Sequence, residues 1–165
     1  MSTIASSSPT IRNSLLRRIA LVGLITGIAH AIIYHWFVSS VLGGYPLTAV
    51  YQYIASGALG ESAFAGGIAT ALLGLLFHFI VSFIVAGVFI LSADRILLLR
   101  RYPVVSSLLY GFGVFIVMTM IVIPLSAAPP LPAPTTFQLI LNILDHTLVI
   151  GLPLGLFVRR NANLP

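Results

Sequence analysis

The chain has 165 residues, 59% of them hydrophobic and 7% charged, with a mean hydropathy of +1.11. A soluble domain carries about 25% charged residues, so this chain lacks the charge to cover a water-facing surface and reads as an all-α, polytopic membrane protein. It contains no Cys, which excludes disulfides, thiol redox chemistry and Cys-ligated zinc or iron–sulfur centres.

Taken in chain order, residues 1–18 read as a cytoplasmic tail, with the Ser-rich stretch 1–11 expected to be without structure. Basic residues ahead of an apolar run can mark a cleaved leader, but the run 19–42 is far longer than the 7–15 residues of a signal core. It is read as an uncleaved first helix. Residues 43–66 carry Leu47, Val50, Tyr51, Ile54 and Ala58 at helical spacing. They are expected to form a short helix in the outer interface, with Tyr45, Tyr51 and Tyr53 at headgroup level. The second span is 67–93 and the third 104–127. Between the third and fourth spans Pro129, Pro130, Pro132 and Pro134 predict a stiff, extended connection. Thr135 or Thr136 then caps the fourth span, 137–158. Residues 19–160 thus form one four-helix transmembrane domain, followed by a short tail at 161–165. Each span meets the length of about 20 residues that a bilayer requires.

All eight basic residues are Arg. Arg12, Arg17 and Arg18 precede the first span, Arg95, Arg100 and Arg101 separate the second from the third, and Arg159 and Arg160 follow the fourth. The two remaining connections have none. Short cytoplasmic loops hold the excess of positive charge, so both termini and the central loop are expected in the cytoplasm. The net charge of +5 is thereby assigned to topology, and no nucleic-acid partner is expected. Asp94 and Arg95 are expected only to snorkel at the end of the second helix.

Helices in lipid associate through small residues and polar contacts. Helix one offers Gly23 and Gly27, with His30 and Tyr34 further along the same face. Helix two carries Gly67, Ala71, Gly74, His78, Ser82 and Ala86 at steps of three and four. Helix three has Ser107, Gly111 and Met118, and helix four has Asn142, Asp145, His146 and Val149. Met118 and Met120 lie two apart, on opposite faces, and cannot share a copper ion. Pro153 removes a hydrogen bond to the Val149 carbonyl and predicts a kink beside Gly151.

Depth identifies the residues of interest. At 1.5 Å per residue, His30 lies about 16 Å from the cytoplasmic end of its span, His78 about 22 Å, His146 about 18 Å and Asp145 about 20 Å. Three imidazoles and one acid from three helices therefore share a slab near the middle of a hydrocarbon core about 30 Å thick. Thr119 and Asn142 lie slightly further out and, with Tyr34, form a second tier around them. An intramembrane Asp costs about 2.5–3.5 kcal/mol even on lenient scales, so Asp145 is expected to face His30 or His78. His146, about 100° around the helix from it, is expected to reach the other rather than pair with Asp145. His35, beside Trp36, reads as an anchor at the outer interface.

The stretch from Arg18 to Arg160 resembles a group of small bacterial four-helix inner-membrane proteins. The resemblance is carried by Tyr51-Gln52-Tyr53-Ile54-Ala55-Ser56-Gly57, Ala63-Phe64-Ala65-Gly66-Gly67, Pro124-Leu125-Ser126-Ala127-Ala128-Pro129-Pro130, and His146 followed by Gly151-Leu152-Pro153. It implies a multi-pass protein of the bacterial inner membrane and brings no activity with it.

Three functional classes fit these residues. The first is a non-enzymatic bundle, an accessory or scaffold subunit without cofactor. Its partners would be membrane lipids, further copies of itself or a larger membrane complex. The second uses His30, His78, His146 and Asp145 to hold haem or a divalent metal, because neutral imidazole is a good ligand for zinc, copper and iron. The third is a small proton-coupled transporter with Asp145 and the imidazoles as its relay. No catalytic residue is assigned.

Overall fold

The computed structural model describes residues 9–36 and 45–161, with side chains for 14–33, 35 and 45–160. Helix α1 (Pro9–His30) passes directly into a π-helical turn, Ala31–Trp36. It starts ahead of the apolar run, so 9–11 are helical rather than without structure; the end of the first span, 37–42, lies outside the described residues. Helix α2 (Leu47–Leu59) and a 3-10 turn (Gly60–Ala65) lead into α3 (Gly67–Arg95). A short α4 (Leu97–Arg101) precedes α5 (Pro103–Val117), which continues through a π turn (Met118–Val122) into α6 (Ile123–Leu125). Helix α7 (Thr136–Leu144), a π segment (Asp145–Ile150) and α8 (Gly151–Asn161) form the last rod. Four rods are long and apolar enough to cross a membrane: Ser14–Ile33, Gly67–Arg95, Pro103–Leu125 and Thr136–Arg160. The described residues contain no strand.

Small residues set the packing, as their stripes predict. Gly23 and Gly27 lie against Phe79, Ser82 and Phe83 of α3, within one chain rather than on an outer face. Gly111 of α5 meets the His146 carbonyl, and Gly151 and Gly155 meet the backbone or side chain of Ser107. In α3 the predicted stripe is buried at Ala71, Gly74, His78, Ser82 and Ala86. Around it Leu72, Leu76, Ile80, Ile84 and Val88 stay exposed on the outside of the bundle.

One half of the bundle is dry. Val22, Ala86, Phe89, Ile90, Ala93, Ile150, Leu154 and Val158 pack there as one apolar core. Tyr110 spans it, donating its hydroxyl to the Val85 carbonyl at 2.9 Å. At the Arg-bearing end of this half, Arg18 forms a two-pronged pair with Asp94, at 3.0 and 3.1 Å. Asp94 therefore ties α1 to α3 instead of only snorkelling.

Helix α2 is bound into the bundle. Its buried face is Tyr51, Gln52, Ala55 and Ser56. The Tyr51 carbonyl abuts Gly74 so closely that a Cβ there would collide with it. Gln52 Nε2 donates to the Gly67 carbonyl at 2.9 Å. Ala127 N–H donates to the Gly57 carbonyl at 3.0 Å. The stretches 51–57 and 124–130, far apart in sequence, thus touch. Gly60 and Gly67, at φ of 62° and 58°, turn the corners of this α2–α3 hairpin. Across the Pro-rich connection, Thr135 caps α7 as expected: its hydroxyl accepts from Gln138 N–H while the Gln138 side chain accepts from Thr135 N–H.

The predicted kink at Pro153 takes the form of a π segment. Gly151 N–H reaches the His146 carbonyl five residues back. Val149, whose carbonyl a helical Pro153 could not serve, lies inside that segment. Pro124 stands in the same relation to the π turn at 118–122. In a bilayer such local adjustments re-satisfy the backbone that proline frees.

Candidate metal centre

The other half of the bundle, next to the apolar core, is where the ionisable residues meet. His30 ends α1, His78 sits mid-way along α3, and Asp145 and His146 open the π segment of the last rod. All three of the predicted imidazoles and the acid are brought together. His30 Nε2 lies 2.8 Å from Asp145 Oδ2. The His30 ring stacks on His78, centroids 5.2 Å apart, and meets His146 edge-on at 5.6 Å.

Two differences from the sequence reading have one cause. His146 Nδ1 lies 3.5 Å from Asp145 Oδ2, although adjacent residues of an α-helix diverge by about 100°. His35 is no interfacial anchor: it is buried, with its ring 4.8 Å from both His30 and His78. In an α-helix residues 30 and 35 point about 140° apart. A π turn closes at i→i+5 and brings such a pair onto one face, while narrowing the angle between neighbours. The π segments at 31–36 and 145–150 supply that geometry. The five-residue spacing of His30 and His35 was the available signal.

Tyr51 was also missed as part of the site. It is buried against the cluster, its ring 5.1 Å from His35 and 6.4 Å from His78, rather than exposed on the outer surface. Burial raises the Tyr51 and Tyr53 hydroxyls above their usual range, so both stay protonated at neutral pH. Of the expected second tier, Asn142 contributes its backbone carbonyl, which accepts from His146 Nδ1 at 3.0 Å. Thr119 turns its hydroxyl back to the Phe115 carbonyl of its own helix at 2.7 Å. The Tyr34 side chain lies outside the described residues.

The hydrogen bonds define tautomers. A carbonyl only accepts, so the ring nitrogen facing it carries the proton. His78 Nε2 faces the Gly27 carbonyl at 3.0 Å, which leaves the lone pair on Nδ1. His146 Nδ1 faces the Asn142 carbonyl, which leaves it on Nε2. Metal-ligating histidines are commonly fixed in this way, one ring N–H held by a carbonyl while the other nitrogen faces the metal. Asp145 adds a carboxyl group. It is 6% exposed, and neither of its oxygens completes a hydrogen bond, although His30 Nε2 lies 2.8 Å from Oδ2.

Donor atoms of His30, His35 and His78 lie within 4.8 Å of one another, and so do those of His30, Asp145 and His146. Donors at 2.0–2.1 Å from a shared tetrahedral ion stand about 3.3 Å apart, so rotamer adjustment has to close either set. The His30–His78 pair is not arranged as two axial ligands of one haem. His30 and His78 stack face to face, whereas axial ligands aim their nitrogens at each other from opposite sides of a wide macrocycle. No protein-family model, curated protein or solved structure matches the chain.

Proposed function

We propose that this chain is an integral membrane protein whose buried His/Asp cluster holds a divalent first-row transition-metal ion. The observation that carries this reading is a cluster of four imidazoles, His30 and His146 within 3.5 Å of a buried carboxylate that completes no hydrogen bond and His35 and His78 packed against His30. One imidazole in a helix bundle serves as an interhelical donor, worth about 0.6–2 kcal/mol. Four in one cluster, two of them beside an acid, exceed that use, and a cation bound among them offsets the cost of the acid. The ligand set, imidazole with one carboxylate, suits zinc, copper, iron or nickel.

The distribution of Arg supports both termini being cytoplasmic, and the resemblance to small bacterial inner-membrane proteins supports that membrane as its place. Reporter fusions at Gly60 and Ala133 are then extracytoplasmic and one at Leu98 cytoplasmic; a cytoplasmic signal at Gly60 overturns that orientation.

The metal reading is tested on detergent-purified protein titrated with Zn(II), Co(II) and Cu(II) and analysed for bound metal after desalting. One ion per chain, lost from a His30→Ala/His78→Ala double variant that keeps its helical circular dichroism, is expected. Failure of all three ions to bind overturns it. The 2.8 Å approach of His30 to Asp145 favours a second reading, a proton relay in a small transporter, to which that failure would return the protein.

A further inference from the structure

The cluster is two overlapping ligand sets that share one residue. His30, His35 and His78 form an all-imidazole set, and His30, Asp145 and His146 form a set with a carboxylate. Each has its own supporting carbonyl: Gly27 orients His78 in the first, and Asn142 orients His146 in the second. The sets lie on different sides of α1, one toward α3 and one toward the last rod. Counted at 1.5 Å per residue from Arg18 and Arg95, His35 and His78 stand about 25 Å from the Arg-bearing end. From Arg160, Asp145 and His146 stand about 21–23 Å from it.

We infer that a single divalent metal ion occupies two positions joined by His30, and that the protein hands the ion between an outer all-imidazole position and an inner one bearing Asp145. This rests on the metal reading above. Simultaneous occupancy is disfavoured by charge: two divalent ions against one carboxylate leave three positive charges uncompensated in a low-dielectric interior. One ion leaves a single excess charge, wherever it sits. His30 is placed to serve both positions, as the last α-helical residue before the π turn that carries His35. A pair of weak sites sharing a ligand is what passage of an ion requires, since a site must admit its ion and also release it. The outer position offers only neutral nitrogen and the inner one adds a charged oxygen, so they bind the same ion with different spectra.

The experiment uses the full chain in detergent with Co(II), read by its visible absorption, and Cu(II), read by nitrogen hyperfine structure in electron paramagnetic resonance. His35→Gln removes a ligand of the outer position only, and Asp145→Asn one of the inner position only. Each variant is expected to bind one ion at the position it leaves intact, within about a few-fold of wild-type affinity, with distinct spectra, the Asp145→Asn spectrum showing nitrogen ligation alone. The wild-type spectrum should be a temperature-dependent sum of the two, and His30→Ala should lose both. Identical spectra from the two variants, or a wild-type spectrum that no sum of theirs reproduces, would mean one fixed site. Two ions bound per wild-type chain would mean a dinuclear centre and also overturn the inference. The wild-type measurements decide the matter even if a variant does not fold. Failure of the wild type to bind either ion instead removes the metal reading itself.

Discussion

The two halves of the bundle are built from the same rods and hold together differently. In the Arg-bearing half, Val22, Phe89, Ile90 and Leu154 sit on regular α-helix, with only Ile150, the last residue of a π segment, joining their core from irregular backbone. In the other half the rods loosen into π turns at 31–36, 118–122 and 145–150. Two of these carry His35, Asp145 and His146 into the cluster. Regular helix and small residues suffice where packing is the only task. The irregular backbone is concentrated where polar groups have to be aimed, consistent with the frequent occurrence of π-bulges at functional sites.

The comparison is broken most directly by removing one residue from each half. His30→Ala deletes the ligand common to both sets, and its metal affinity should fall about 100-fold or more, beyond the range seen for second-shell changes. Its thermal stability without metal should change little, because the dry core is untouched. Phe89→Ala should do the reverse. Phe89 is 1% exposed and packs on Tyr110. Lipid solvates an exposed side chain as well as the core does, so the loss reduces to the cavity term, about 2 kcal/mol. Metal affinity should stay within twofold. Competition titration with a chromophoric chelator and denaturation in mixed detergent measure the two effects. If Phe89→Ala abolishes binding, the halves are not independent.

A subtler change sharpens the point about backbone. Pro153→Ala restores an N–H that can reach the Val149 carbonyl and favours α-helical register through 145–150. That rotates Asp145 and His146 relative to each other, and the bound-metal spectrum should shift toward that of the all-imidazole position with the ligands all present. An unchanged spectrum would show that the π segment is held by packing against Gly111 rather than set by the proline.

The parts legible in the sequence are those governed by α-helical periodicity. The four rods, the stripe from Ala71 to Ala86, the cap at Thr135 and the meeting of His30, His78, Asp145 and His146 all follow from apolar length, 3.6-residue spacing and 1.5 Å rise. His35 and Tyr51 did not. Placing His35 needs a π turn, which changes the period over six residues and leaves no compositional mark. Placing Tyr51 needs α2 to pack on α3, which Gly74 permits by close backbone approach across 23 positions of sequence. The pairing of Asp94 with Arg18, 76 positions apart, is illegible for the same reason: each residue alone reads as an end-of-helix charge.

That pair gives the smallest effect and the sharpest contrast with the cluster. Arg18 and Asp94 meet at 3.0 Å, but their side chains remain 30% and 41% exposed. Water and salt screen a pair so placed, and its contribution falls in the range of about 0–1 kcal/mol. Asp94→Asn should therefore lower stability by less than 1 kcal/mol, with a difference from wild type that shrinks further between low and high ionic strength. Asp145→Asn carries the same chemical change into a site 6% exposed, beyond the reach of counter-ions, and its effect on metal affinity should be independent of salt. Measuring both variants at two ionic strengths asks whether burial, rather than charge, separates the two acids. A salt-dependent loss at Asp145 would mean that water reaches the cluster and that the two halves differ less than their packing implies.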